Sequence, residues 1–424
     1  MAPPRPRLVA EQLGRTALVA GTFDTKGAEL MFVRDRLRER GMVTRTVDLS
    51  TTRHATHTDV SAADVASCHP RGGRAVFIDD RGAAVTAMSE AFEIWVTRQR
   101  DIGGMISAAG SGGTALVSPG MRALPVGVPK LIVSTVASGD VGPYVGPADI
   151  TMMYSVADIQ GINSVTETIL ANAAAALAGM IAAAPTPEQR RARRAAAKPA
   201  IGVTMFGVTT PCVQGVVRRL RGELDCLVFH ATGVGGRSME KLVDAGDIAA
   251  VMDLTTTELA DRQVGGVFAA DDDRMGAIIR TGVPYVGSLG ALDMVNFGAM
   301  DSVPERFRAR RLVVHNPNVT LMRTTVDECR AIGEFIASRL NRMTGPVRFL
   351  IPEGGFSAID RPGQPFHDPT ADAALVDTLE RLFEPSPNRR LVRVPANIND
   401  EAFIEAAVSG LREIYRPTPQ RRSA

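Results

Sequence analysis

Apolar runs of about five residues recur along the chain, each closed by a glycine or polar loop and most followed by a stretch of helical period. Residues 16–20 read as a buried parallel strand, closed by the loop Gly21-Thr22-Phe23-Asp24-Thr25-Lys26-Gly27 and followed by a helix at 28–40. Residues 43–49 form the next strand, while 51–80 are polar and irregular. A helix at 82–99 precedes a strand at 103–109, which feeds Gly110-Ser111-Gly112-Gly113-Thr114. Further strands fall at 130–134 and 150–154. Ser164-Val165-Thr166-Glu167 then fits an S-x-x-E capping box ahead of an Ala-rich helix.

After residues 185–199, rich in Pro, Arg and Ala, the pattern restarts. Strands are expected at 200–205, 225–229, 248–254, 284–287, 311–314, 347–351 and 391–395, with a long helix at 325–342 and another closing the chain. Alternating strands and helices joined by short loops predict an α/β fold with an open, doubly wound parallel sheet in each half. The domains read as 1–184 and 200–424, joined by the 185–199 linker. The likeness of Gly110–Thr114 to Thr232–Gly236 suggests a duplication.

Composition narrows the classes. With 45% hydrophobic and 22% charged residues the chain reads as globular, and a net charge of +2 gives no electrostatic case for nucleic acid. The run Arg190-Arg191-Ala192-Arg193-Arg194 is a solvated linker face by this reading. Four cysteines without C-x-x-C spacing suit a reducing cytoplasm. The apolar stretch 169–184 is shorter than the ~20 residues that cross a bilayer, so a helix buried in the domain or at a dimer interface is expected, and no membrane.

Ligands of open α/β sheets bind outside the carboxyl ends of the strands, and uncommon polar residues fall there. Gly110, Ser111, Gly112, Gly113 and Thr114 open a helix, where free backbone N–H groups favour a phosphate or carboxylate. The stretch is neither a P-loop, having no Lys, nor G-x-G-x-x-G. Lys26, beside Thr22, Thr25 and Gly27, is placed to pair with phosphate, and Asp48 lies about 20 residues past the first loop, where a ribose-binding carboxylate is expected. Asp24 and Asp140 are candidate Mg²⁺ ligands. In the second half His230, His315 and Asp253 are candidates for general acid–base catalysis or a metal, with Thr209, Thr210, Thr232 and Glu353 as substrate contacts. His54, His57 and His69 are expected in exposed loop, and Cys212, after Pro211 at a helix start, is a weaker candidate nucleophile.

Gly21–Gly27, Gly110–Thr114, Thr204-Met205-Phe206-Gly207-Val208-Thr209-Thr210-Pro211, Phe229–Gly233 and His315-Asn316-Pro317 together resemble the Tm-1-like ATP-binding proteins, also called the UPF0261 family, over nearly the whole chain. The resemblance implies two Rossmann-like subdomains, ATP with Mg²⁺ on the first, and a homodimer. It implies phosphate contacts on Gly110–Thr114 and Thr22–Gly27. Two positions depart from the family pattern: Ala109 stands for a Gly, and Asn397 for a His. The resulting expectation is an enzyme of small-molecule metabolism with its substrate on second-half strand ends. A nucleotide-gated binding or regulatory protein and a metal-dependent hydrolase or lyase are the alternatives.

Overall fold

The computed structural model describes residues 15–52 and 56–416. The chain divides into two compact units, Met1–Ala195 and Ala196–Ala424. Both are α/β.

Unit 1 runs β1 (Thr16–Gly21), α1 (Phe23–Glu39), β2 (Thr44–Asp48), α2 (Ala62–Ala66), α3 (Arg81–Thr97), β3 (Ile102–Ala109), α4 (Ser111–Ala123), β4 (Lys130–Ser134), α5 (Gly142–Val145), β5 (Thr151–Tyr154) and α6 (Ser164–Ala183). Its five strands are all parallel, in the order β2-β1-β3-β4-β5. β1, β3 and β4 are buried along their whole length, which explains their unbroken apolar runs. One face of the sheet carries α1 and α6, through Leu30, Val33, Leu170, Leu177 and Ile181. The other carries α3 and α4, through Met88, Phe92, Leu116 and Met121. Helix α6 is long and apolar enough to cross a membrane by length and composition alone. Its buried Leu170, Leu177 and Ile181, worth about 1.5–3 kcal/mol each, tie it to this core instead. Gly104 is needed for that fit, since a Cβ there would lie 2.9 Å from Ile181.

A helix, α7 (Pro187–Ala196), occupies most of the segment expected as the linker. Unit 2 follows with β6 (Ala200–Met205), α8 (Thr210–Leu220), β7 (Asp225–His230), α9 (Val234–Ala245), β8 (Ala250–Thr255), α10 (Glu258–Val264), α11 (Gly276–Thr281) and β9 (Tyr285–Gly290). It continues with β10 (Met294–Phe297), β11 (Leu312–Asn316), β12 (Val319–Arg323), α12 (Val326–Leu340), β13 (Val347–Pro352), α13 (Pro369–Leu382), β14 (Arg389–Val394) and α14 (Glu401–Ile414). Six parallel strands take the order β14-β13-β9-β8-β6-β7. Counted from β6, this extends the 2-1-3-4-5 order of unit 1 by one strand, so the two units share a topology. Between β9 and α12 sits an antiparallel sheet, β10-β12-β11.

Several expectations need correction. The 311–314 strand belongs to that antiparallel sheet, and β10, β12 and α13 were not anticipated. The Gly21–Gly27 stretch is largely the first turns of α1, whose backbone kinks at Lys26 (φ −126°, ψ 22°). α6 is capped one residue earlier than expected. Asn163 Oδ1 accepts from the Val165 and Thr166 N–H groups, and Thr166 returns the bond to the Asn163 N–H. Residues 51–80 carry α2 and bury Val60, Val65 and Val76. His69, expected in exposed loop, is 4% exposed, with Nδ1 accepting from the Arg71 N–H and Nε2 3.4 Å from Glu90. His57 is exposed, and His54 lies outside the described residues.

Candidate functional site

In an open parallel sheet the ligand crevice lies where the strand order reverses. In unit 1 that is between β1 and β3, and a cavity of about 790 Å³ opens there. Thr22, Asp24, Thr25 and Lys26 from the start of α1 line it, together with Gly110, Ser111, Gly112 and Gly113 from the start of α4. Gly110 is the N-cap of α4 in extended conformation and offers no side-chain cap. The N–H groups of Ser111, Gly112 and Gly113 thus have no partner within the helix, while Thr114 N–H already bonds the Gly110 carbonyl. A Cβ placed on Gly112 meets nothing within 4 Å, and one on Gly110 meets only Thr135 Oγ1 at 4.0 Å. Neither residue has a positive φ. Glycine at these two positions answers neither packing nor backbone strain; it leaves room for a guest.

The start of α1 is partly committed. Phe23 N–H donates to Asp48 Oδ1 (3.2 Å) and Asp24 N–H to Ser50 Oγ (3.1 Å). Thr22 and Thr25 pair through their hydroxyls at 2.8 Å, and Asp24 Oδ2 accepts from Thr52 Oγ1 at 2.6 Å. The half-buried Lys26 ammonium donates to the Ile159 carbonyl.

Four sequence candidates for this site lie outside the cavity lining. Asp48 is 1% exposed and accepts from the Phe23 and Ser50 N–H groups and from the Ser50 and Thr56 hydroxyls. It is a loop former with no lone pair turned to a ribose. Thr114 is fully buried, its hydroxyl donating to the Gly110 carbonyl and meeting Ser134 Oγ at 2.7 Å. Asp140 is exposed, accepts from the Gly142 N–H and does not line the cavity, so it makes no metal pair with Asp24. Among the described residues no group of three or more His, Cys, Asp or Glu is arranged to hold a metal. Gly27 also lies outside the lining. Sequence reasoning missed Phe77, Ile78 and Asp79 in the lining, from the segment read as irregular, and Arg81 at the start of α3. The signal was the Phe-Ile pair before Asp80, which caps α3 by accepting from the Ala83 N–H.

In unit 2 the structure brings His230 and His315 to one place. His230, exposed at the end of β7, packs its ring on Phe206 (centroids 5.2 Å). His315, exposed on β11, puts Nε2 3.6 Å from where a Cβ on Gly207 would sit. Asp253 is not with them. It is fully buried and accepts from Thr204 Oγ1 (2.8 Å), Arg274 Nη2 (2.8 Å) and Tyr285 Oη (3.0 Å). Arg274, 1% exposed, also pairs with Glu240 (3.0 Å) and Glu258 (2.9 Å). Asp253 thus belongs to a sealed ion cluster, where it can neither orient a histidine nor reach a substrate. Thr209 is buried against Thr255 Oγ1 (2.7 Å), and Thr210 bonds back to the Phe206 carbonyl. The Thr232 hydroxyl donates to the His230 carbonyl. Glu353 stands apart from the histidines, lining a cavity beside β13, where it pairs with Arg393 (3.0 Å). Burial pushes the Cys212 thiol up to about 12, which removes it as a nucleophile. Asn397, where a His was expected, is a clamp. Its Nδ2 donates to the Gly354 and Ser357 carbonyls, holding the loop after β13.

Comparison with known proteins agrees with this architecture. Residues 15–186 match the model of the uncharacterised protein family UPF0261 N-terminal domain, and residues 198–415 that of its C-terminal domain. A UPF0261 protein of Rhizobium meliloti is 53% identical over 400 residues, covering 94% of this chain and 99% of its own. A UPF0261 protein of Clostridium tetani is 43% identical over 408 residues, covering 94% and 98%. The ToMV resistance protein Tm-1 of Solanum lycopersicum is 43% identical over 415 residues, 93% of this chain but 55% of that longer protein. Two matched domains in series and near full-length relatives lead to one conclusion: the chain belongs to the UPF0261 family.

Proposed function

We propose that unit 1 binds a nucleoside triphosphate, ATP with Mg²⁺, at the β1/β3 switch point. The observation that carries this reading is the bare N-terminus of α4 beside an open cavity of about 790 Å³. Phosphates would lie on the Ser111, Gly112 and Gly113 N–H groups, where the helix dipole favours negative charge. Thr22, Thr25, Lys26 and Arg81 line the same cavity and bring donors to it, and Asp24 would offer an oxygen ligand to Mg²⁺. Phe77 and Ile78, an apolar pair in the lining, suit a base. Thermal unfolding with ATP, ADP, NAD and coenzyme A, with and without Mg²⁺, tests this, since a tight ligand raises the melting temperature by mass action. ATP·Mg²⁺ is expected to give the largest rise. No shift with any nucleotide would overturn the reading.

A second reading, that the protein turns over a small metabolite, is favoured by the convergence of His230 and His315 on Phe206–Gly207. Two exposed imidazoles, from β7 and β11, beside one loop can supply an acid and a base. Exchange of either for alanine should leave the fold intact and abolish turnover of an identified substrate; unchanged turnover in both variants removes the reading. We also propose a homodimer. β7 is the edge strand of the unit 2 sheet and leaves Val228 43% exposed, unusual for a parallel strand. Light scattering that gave a monomer mass would refute it.

A further inference from the structure

A cavity of about 380 Å³ opens at the carboxyl end of β13. Ile351 and Pro352 form its floor, Glu353 to Phe356 one side and α13 the other. Asp368 caps α13 by accepting from the Ala371 N–H, with Pro369 opening the first turn. That start turns Asp372, Val376 and Asp377 to the cavity at helical spacing.

Behind the wall lies an unusual set of acids. Arg323, 3% exposed, bonds Asp372 at 2.5 Å and stands 4.0 Å from Asp360. Asp360 is fully buried. Its Oδ2 accepts from the Phe356 N–H (2.8 Å), and its Oδ1 has no donor among the described residues. Burial raises the Asp360 carboxyl above its ordinary value, against the pull of the Arg323 charge. Asp293, also sealed, accepts from Ser357 Oγ (2.7 Å) and leaves its other oxygen without a donor. One guanidinium thus answers to two buried carboxyls, Asp293 and Asp360, and to the half-buried Asp372. Burial, and next the Asp360 charge, raise Asp372 to about 7. A purely structural set would be sealed throughout, yet Asp372 is on the cavity wall with its side chain 16% exposed.

The wall charges indicate the ligand. Arg393 is bidentate to Glu380 (2.7 and 2.7 Å) and reaches Glu353 with its third nitrogen, so its positive charge is spent. What remains for a guest is mainly acceptors, on Asp372 and Asp377, next to the apolar Pro352, Phe356 and Val376. We propose that this cavity is a second ligand site, for a small molecule whose protonated amine docks on Asp372, backed by Asp360, and whose apolar body lies on Pro352, Phe356 and Val376. An ammonium brings three donors to acids that Arg323 satisfies only in part.

Phenethylamine, 2-phenylethanol and phenylacetate are matched cationic, neutral and anionic probes. In calorimetric titration of the full chain at pH 8, without nucleotide, the amine should bind at least tenfold more tightly than the alcohol, and phenylacetate most weakly. Between pH 8 and 6 the amine should weaken several-fold as Asp372 takes up its proton, with Arg323, Asp360 and Asp293 behind it and Glu353, His367, Asp377 and Arg393 on the cavity the other charged or titratable groups around it. Asp372→Asn should abolish the preference for the amine. Ala373→Trp, at an exposed helix position on the cavity rim, should block all three probes without touching the acid pair. The proposal falls if the amine does not bind at millimolar concentration, binds no better than phenylacetate, or keeps its affinity in Ala373→Trp. Each of these outcomes leaves nucleotide binding on unit 1 unaffected.

Discussion

Replacing Gly112 by alanine should stabilise unit 1 and weaken its nucleotide in the same protein. Gly112 is the second residue of α4, without a positive φ, and a Cβ there meets nothing within 4 Å. Alanine is favoured over glycine by about 0.5–1 kcal/mol in a helix, the lower end applying to a first turn. At roughly 2–4 °C per kcal/mol for a unit of this size, the melting temperature should rise by about 1–3 °C. The methyl group stands where a phosphate oxygen would approach the Gly112 N–H. Losing one charge-assisted hydrogen bond costs about 1.5–3 kcal/mol, a roughly 10- to 150-fold loss of affinity. Gly113 is the contrast: its Cβ would lie 2.9 Å from the Ala109 Cβ, so Gly113→Ala should lose stability through overpacking. Thermal unfolding without ligand and calorimetric titration with ATP·Mg²⁺ read the two effects separately. A more stable Gly112→Ala that binds ATP as tightly as wild type would put the phosphate elsewhere. A less stable one would mean the fold itself requires the glycine.

Three further perturbations test the assignments around the sites. Asp48→Ala should cost about 1–3 kcal/mol by orphaning the Phe23 and Ser50 N–H groups while leaving the ATP-to-dATP affinity ratio unchanged; a changed ratio would restore Asp48 to the ribose. Arg274→Met should destabilise unit 2 by about 3–5 kcal/mol in urea unfolding, because three buried carboxyls lose their common partner, and a cost below about 1 kcal/mol would refute the ion-cluster account. Burial raises the Asp261 carboxyl to about 7 despite N–H donors from Asn296 and Phe268. The folded state then holds a proton that the unfolded chain releases near pH 3.8, so this contribution is complete below pH 3.8 and lost as pH rises through 7. About three units correspond to about 4 kcal/mol, and urea midpoints that stay level from pH 5 to 7 would contradict it.

The strands were legible because a parallel strand buried on both faces must be an apolar run, and β1, β3, β4, β6 and β13 lie within one or two residues of their expected bounds. What escaped notice depends on tertiary partners. Residues 51–80 look polar because only single residues such as Val60, Val65 and Val76 are buried, too sparse for a period. The insert β10-β12-β11 hides its pairing in non-local contacts, and the α13 acids gain their meaning only from Asp360 and Arg323, which lie outside the helix. Of the residues that the sequence pointed to in unit 1, the glycines at the α4 start line the cavity, whereas Asp48 and Thr114 are buried away from it. A buried acceptor and an exposed one carry the same letter.

The two units share a strand order, but the two glycine stretches whose likeness suggested a duplication do not occupy corresponding loops in it. Gly110–Thr114 follows β3, the strand beyond the switch point; its counterpart in unit 2 follows β8, at Thr255, Thr256, Thr257 and Glu258. All four are fully buried. The insert is the reason: Met294 and Leu321 pack with Phe206 and Val208 over the β6 end, and Thr256 N–H bonds the Gly290 carbonyl. The glycines of Thr232–Gly236 have a different use. Glu258 Oε1 accepts from the Gly233 (2.7 Å) and Gly236 (3.0 Å) N–H groups, and a Cβ on Gly236 would lie 2.2 Å from Glu258 Oε2. The start of α9 already holds an anion, supplied by its own chain and neutralised by Arg274. One topology therefore has two outcomes. Unit 1 leaves its switch point open with bare N–H groups, while unit 2 fills the equivalent crevice and answers its helix start with an internal carboxylate. An external anion has a place in the first and none at the second, which is why a ligand of unit 2 should be sought at the β13–α13 acids or at His230 and His315.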